Sequence, residues 1–170
     1  MENFRCATKT DAPLLAGLRE KVWKETYEGI YPKEMLDSFD RIVHEKKFHS
    51  QITAPDTFVY IVEFDDTPIG YFSFGRPRKK EERPKDLVLH SLYLLSSHQG
   101  RGIGKGIFHF IRTYGEDHQL TKLYSSCNAH NHSALAFYQK MGGNILFSDV
   151  GHENPAEDSV YLEYDIDREL

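Results

Sequence analysis

Cysteine is scarce. The chain has two, Cys6 and Cys127, in 170 residues, too far apart for a disulfide framework or a paired-thiol zinc site, and both are expected in strands and buried. No run of about eighteen apolar residues occurs, which excludes a bilayer-crossing helix. Residues 1–5 lack the apolar segment of a secretory signal, so a cytoplasmic protein is expected. Positive charge is not in excess either: 21 Lys and Arg face 26 Asp and Glu, a formal net charge of −5. A general nucleic-acid binder needs a basic face to displace counterions, so neither nucleic acid nor membrane is expected as a partner. The nine histidines are scattered without ligand spacing, and no metal is expected.

What is present is enough for one sizeable core, 39% hydrophobic residues in a chain of this length, read as a single domain over 1–170. Residues 4–7 read as a short strand. Thr10-Asp11-Ala12-Pro13 supplies a cap and an early proline for a helix that runs to about Thr26 with Leu14, Leu15, Leu18, Val22 and Trp23 as its apolar stripe. A second helix is expected from about residue 32 to the turn Ala54-Pro55-Asp56, burying Met35, Leu36, Phe39, Ile42, Val43 and Phe48. Residues 57–64 and 69–74 form a hairpin around Asp65-Asp66-Thr67-Pro68. The charged stretch 76–85, with two prolines, reads as a flexible loop. Strands at 87–95 and 122–127, helices at 107–118 and after Asn131, and strands at 144–150 and 159–166 complete the order. This predicts a mixed sheet flanked by helices, an α/β or α+β fold.

Between the strand at 87–95 and the following helix stands Ser97-His98-Gln99-Gly100-Arg101-Gly102-Ile103-Gly104-Lys105-Gly106. The first N–H groups of a helix have no internal acceptor and carry partial positive charge, so a strand, a glycine turn and a helix start make a phosphate site. Arg101 and Lys105 add formal charge, and Gly102 and Gly104 permit torsions closed to other residues and keep the approach of a ligand clear. The dinucleotide pattern fails, because Lys105 and Ile107 stand three residues after Gly102 and Gly104. The Walker pattern fails too, since Gly106 follows Lys105 where Ser or Thr is needed. A second segment, Asn131-His132-Ser133-Ala134-Leu135-Ala136-Phe137-Tyr138-Gln139-Lys140-Met141-Gly142-Gly143, reads as a cap, an amphipathic helix and a glycine stop.

Gln99-x-x-Gly102-x-Gly104 resembles the coenzyme A pyrophosphate loop of the GNAT family of N-acetyltransferases, and the Asn131 segment resembles that family's last catalytic segment. The resemblance is strongest over 87–143. It implies a mixed, largely antiparallel GNAT-like sheet, acetyl-coenzyme A as cosubstrate, and a pyrophosphate held by Gln99, Gly100, Arg101, Gly102, Ile103, Gly104 and Lys105. It implies further that the splayed strand pairs Leu92, Tyr93 and Leu94 with the pantetheine amides, that amides near Leu94 hold the thioester carbonyl, that Asn131 touches the pantetheine arm, and that Tyr138 is the general acid.

Histone-modifying members carry a glutamate eleven residues before the loop glutamine; here that position is Val88, so a carboxylate base does not carry over. Two residues on stands His90, expected by the strand's period to share Val88's face, at a place similar to a histidine of the arylalkylamine acetyltransferases. It is a candidate base or water relay, with a packed structural histidine as the alternative. The segment Trp23-Lys24-Glu25-Thr26-Tyr27-Glu28-Gly29-Ile30-Tyr31-Pro32 resembles a W-x-x-x-Y stretch of bacterial members, so Trp23, Tyr27 and Tyr31 are candidates for the acceptor pocket, with a core role as the alternative. The expected reaction is acetyl transfer to the primary amine of a small molecule, a polyamine, arylalkylamine or aminoacyl compound. Transfer to a protein amino group and a coenzyme A sensor without turnover are the alternatives, and a homodimer is possible from the sequence.

Overall fold

The computed structural model describes residues 1–78 and 81–167. In them the runs rich in β-branched and aromatic residues become seven strands: β1 Glu2–Cys6, β2 Thr57–Phe64, β3 Thr67–Gly75, β4 Asp86–Leu94, β5 Lys122–Asn128, β6 Asn144–Asp149 and β7 Ser159–Asp165. The helices are α1 Ala12–Tyr27, α2 Lys33–Asp37, α3 Arg41–Thr53, α4 Ile103–Asp117 and α5 His132–Lys140. One sheet holds the strands in the order β1-β2-β3-β4-β5-β7-β6. Every neighbouring pair is antiparallel except β4 with β5, so the mixed, largely antiparallel expectation holds.

Local chemistry explains the joints. The β2–β3 hairpin turns on Asp65 and Asp66, both left-handed at φ 48° and 61°, the geometry a two-residue turn needs to match strand twist and one that Asp tolerates. On one face of the sheet Leu15, Leu18 and Val22 of α1 and Phe48 of α3 pack on Val59, Ile61 and Tyr71. On the other, Ile103, Ile107, Phe108 and Ile111 of α4 join Tyr138 and Met141 over Phe72, Phe74, Leu87 and Leu123. Arg19 of α1 is buried among aromatic rings: Nε donates to Tyr71 Oη at 2.9 Å, Nη1 to His44 Nδ1 at 3.2 Å, and the guanidinium lies 4.1 Å over the Phe48 ring. Burial and that cation push the His44 imidazole down to about 4.

Four expectations are corrected. The second helix is two, because after Asp37 the chain leaves the helix and Asp40 restarts it by accepting from the Val43 N–H at 3.1 Å; short polar side chains favour caps over helix interiors. With that restart α3 buries His44 and Phe48, while Met35, Ile42 and Val43 are exposed. Cys6 is exposed and Cys127 only partly buried, because β1 is an edge strand and β5 borders an open cavity. Helix α4 starts at Ile103, so Gly104 lies inside its first turn and needs no unusual torsion. A Cβ there would stand 2.8 Å from Phe137 Cζ, so it is close packing against α5 that requires the glycine. Of the charged loop, Lys79 and Lys80 lie outside the described residues; its far end is anchored, with Arg83 bonded to Asp86 at 2.5 Å and lying 4.3 Å over the Tyr124 ring.

Candidate active site

Strands β4 and β5 pair only at Asp86↔Lys122, Leu87↔Leu123 and Val88↔Tyr124. Beyond Val88 each is held by its outer neighbour, β4 by β3 as far as Leu94 and β5 by β7 as far as Asn128, so the inner edges part. A bulge lies at the parting: Leu89 pairs with Phe74 and Ser91 with Ser73, leaving His90 as the extra residue. Bulges bend and twist the strand that carries them. The core-facing residues accordingly change parity, from Leu87 and Leu89 before His90 to Leu92 and Leu94 after it. The simple alternation that put His90 on Val88's face is therefore interrupted at His90 itself.

The gap opens a cavity of about 430 Å³ whose walls include His90 to Leu94 of β4, Ser126 and Cys127 of β5, Asn131, Phe137 and Tyr138 from α5 and its cap, and Tyr27 of α1. Gln99, Gly100, Gly102, Gly104 and Lys105 form its other end. There Gln99 Nε2 donates to the Leu94 carbonyl at 2.9 Å, tying the loop to the strand. Gly100 and Gly102 are left-handed at φ 73° and 85°, with nothing within 4 Å of where a Cβ would stand. Gly102 caps α4 with no side chain, so the first helix N–H groups face open space, a cradle whose chemistry fits a pyrophosphate. Arg101 and Lys105 are exposed beside it. Arg101 and Ile103 do not line the cavity: the guanidinium of Arg101 is 5.9 Å from the Phe64 ring, and the Ile103 side chain is in the core. Ile103 has only its main chain to offer.

Helix α5 is fixed at both ends. The Asn131 Oδ1 accepts from the Ala134 N–H at 3.2 Å. At the other end Gly142, at φ 91°, lets the Gly143 N–H reach the Tyr138 carbonyl and the Gly142 N–H the Gln139 carbonyl, each at 3.0 Å. Tyr138 is buried, its ring within the core and its edge on the cavity. Its hydroxyl makes no hydrogen bond among the described residues. Burial pushes its pKa well above the ordinary phenol value, helped by the nearby Tyr93, Tyr164 and Cys127. A phenol so placed stays protonated at neutral pH and has a proton to give. His90 opens onto the cavity, and its imidazole is held below the ordinary value by surrounding protein and by the Arg78 cation, so its neutral form, which can accept a proton, prevails. Burial raises the Cys127 thiol to about 11, which leaves it a thiol.

Of the three aromatic candidates on and after α1, only Tyr27 reaches the cavity, where its hydroxyl lies 2.6 Å from that of Tyr93. Trp23 packs one turn below, 6.0 Å from the Tyr27 ring and 5.3 Å from His44. Tyr31 stacks on the outer side of Tyr27 at 4.0 Å, facing a shallow groove with Glu25, Glu28 and Asp37. Their helical spacing aligned them, but the helix turns only one of the three toward the gap. Sequence reading missed Ser126 and Cys127 of β5 and Lys140 of α5 as lining residues; the two strand residues line the cavity because β5 has no β4 partner beyond Tyr124, which no local pattern reports. Among the described residues no group of three His, Cys, Asp or Glu could hold a metal ion, and no helix is long and apolar enough to cross a membrane.

Residues 17–143 match the acetyltransferase (GNAT) family, and the chain belongs to it; the acetyl-coenzyme A-dependent N-acetyltransferase class expected from the sequence stands with that membership. An uncharacterized N-acetyltransferase from the pepI 3′ region of Lactobacillus delbrueckii subsp. lactis is 25% identical over 138 residues, 79% of this chain and 80% of the relative. In fold the chain is similar to the PaiA N-acetyltransferase of Thermoplasma acidophilum in complex with coenzyme A, with TM-score 0.79 and 20% identity over 97% of this chain and 99% of that one. It is also similar to YncA, an acetyltransferase of Salmonella typhimurium solved with acetyl-CoA, with TM-score 0.72 and 14% identity over 100% and 96% of the two chains.

Proposed function

We propose that this enzyme transfers the acetyl group of acetyl-coenzyme A directly to the primary amine of a small arylalkylamine or aminoacyl compound, with Tyr138 as general acid. The observation that carries the reading is a buried phenol, protonated and without a hydrogen bond among the described residues, in the same cavity as the N-terminus of α4 and the parted inner edges of β4 and β5. The loop from Gln99 to Lys105 holds the pyrophosphate through main-chain N–H groups. Leu92 to Leu94 offer main-chain groups to the pantetheine amides as an added strand would, and Asn131 lies where that arm passes. The cosubstrate supplies the thioester; the C–N bond forms as the C–S bond breaks. His90, directly or through water, takes the amine's proton, and Tyr138 returns one to the departing sulfur.

The cavity's described walls carry no carboxylate, and its cations are Lys105 and Lys140. A polyamine would find no partner for its further charges there, whereas phenol and hydroxyl walls suit an aromatic or aminoacyl body. The Tyr27–Tyr93 contact joins α1 to β4 at one wall, which favours a small acceptor over a polypeptide. Thiol release from acetyl-coenzyme A, followed across a panel of amines, tests this. Tyr138→Phe should lower kcat on the order of a hundredfold with cofactor affinity unchanged, and an unaltered kcat would remove Tyr138 from the mechanism.

A further inference from the structure

Behind the cavity, the turn that starts α5 and the turn that starts β7 meet on one carboxylate. Asp158 is 5% exposed, covered by its own partners. Oδ2 lies 2.8 Å from His130 Nε2; Oδ1 lies 2.8 Å from His152 Nδ1 and 3.0 Å from the His152 main-chain nitrogen. An ionised carboxylate only accepts, so both ring nitrogens carry hydrogen and donate. The Asp158 carbonyl accepts from the Ala129 N–H at 3.0 Å. Asn128 closes the same knot: Oδ1 accepts from the His130 N–H at 2.9 Å, Nδ2 donates to the Pro155 carbonyl at 2.8 Å, and its own carbonyl accepts from the Asn131 N–H at 3.1 Å.

The next residue after His130 is Asn131, and seven residues later comes Tyr138. Between Asn128 and His132 the chain passes from strand to helix, and a helix of nine residues is too short to fix its own direction. Its far end is fastened by Arg112 Nη2, which donates to the Met141 carbonyl at 3.0 Å. Its near end has the Asp158 knot. We propose that Asp158 is a positioning residue for acetyl transfer, gripping His130 and His152 so that the β5–α5 turn sets Asn131 against the cofactor arm and Tyr138 against the leaving sulfur. This rests on the roles given to Asn131 and Tyr138 above.

The charges around the knot agree with that role. The N–H groups of His152 and His130 hold the Asp158 carboxyl well below its ordinary range. Asp158 raises the His152 imidazole, with Asp149 of β6 and Glu157 adding negative charge. The carboxylate is therefore ionised through the physiological range and does not release its donors.

Because removing Asp158 itself risks the fold, the test uses His130, whose side chain is 47% exposed. Acetyl-coenzyme A affinity by calorimetry and melting temperature are measured for the full chain and for His130→Ala, His130→Gln and Asn131→Ala. His130→Ala should bind about tenfold more weakly. His130→Gln, whose amide N–H stands where Nε2 stood, should bind within about twofold of the parent, with both variants fully folded at the temperature of the titration. Affinity unchanged in His130→Ala, or equally lost in His130→Gln, overturns the positioning role while Asn131→Ala still weakens binding. If Asn131→Ala also binds normally, the arm contact is wrong and the positioning role falls with it.

Discussion

A methyl group at Gly104 and one at Gly102 would do different damage. At Gly104 it meets the Phe137 ring at 2.8 Å, so Gly104→Ala should push a cavity wall and weaken cofactor binding several-fold by calorimetry, with a loss on the order of 1 kcal/mol in stability. At Gly102 there is room, but φ is 85°. Gly102→Ala should cost about 1–2 kcal/mol for that torsion, and Gly102→Asn should recover part of it because Asn accepts left-handed backbone more readily; equal melting temperatures for the two would count against the torsional cause. The sequence shows two similar glycines in one loop. What separates them is Phe137, thirty-three residues on, and no local pattern reports that contact. His90 was legible as a candidate from its strand, but the bulge that turns it toward the cavity was not, since a single inserted residue leaves the surrounding composition unchanged.

At the scale of the element, the α1–α3 pair carries a titration with a definite sign. His44 is held down to about 4 in the folded chain against about 6.5 when unfolded. The unfolded state therefore binds more protons below pH 6.5, and stability is full above that pH and lost as it falls toward 4. Urea unfolding at pH 7 and pH 5 should show the parent losing about 2 kcal/mol more than His44→Asn, whose Oδ1 can still accept from Arg19; parallel losses would reject the coupling. Strands and helices with strong periodicity, such as β2, β3 and α1, were readable to within a residue or two. The break at Ser38 to Asp40 was not, because its apolar spacing continued through while Asp40 offered the backbone a cap instead. The order β5-β7-β6 was also beyond reach, since it depends on pairing between distant segments.

At the scale of the whole molecule, α4 and the three paired residues of β4 and β5 connect two half-sheets, β1 to β4 and β5-β7-β6. Main-chain N–H groups of residues 91–94 on the inner edge of β4 should exchange hydrogen faster in the free protein than with acetyl-coenzyme A, and protection should appear there and at the start of α4. Slowing confined to α4 would mean the arm does not lie along the strand. His90→Ala tests the proton's exit: kcat should fall most on the acid side, where too little amine is deprotonated, and an unchanged pH profile would make the residue structural. The glycine loop and the Asn131 segment were local motifs and hence readable; the proposed acceptor wall draws on α1, β4 and β5, three segments whose meeting only the fold supplies.

With so few rungs between its halves, the sheet gains stiffness wherever a guest supplies more of them. On the proposed path of the pantetheine arm along β4, rigidity would be a property of the loaded state, and the acyl donor would ready the catalyst mechanically as well as chemically.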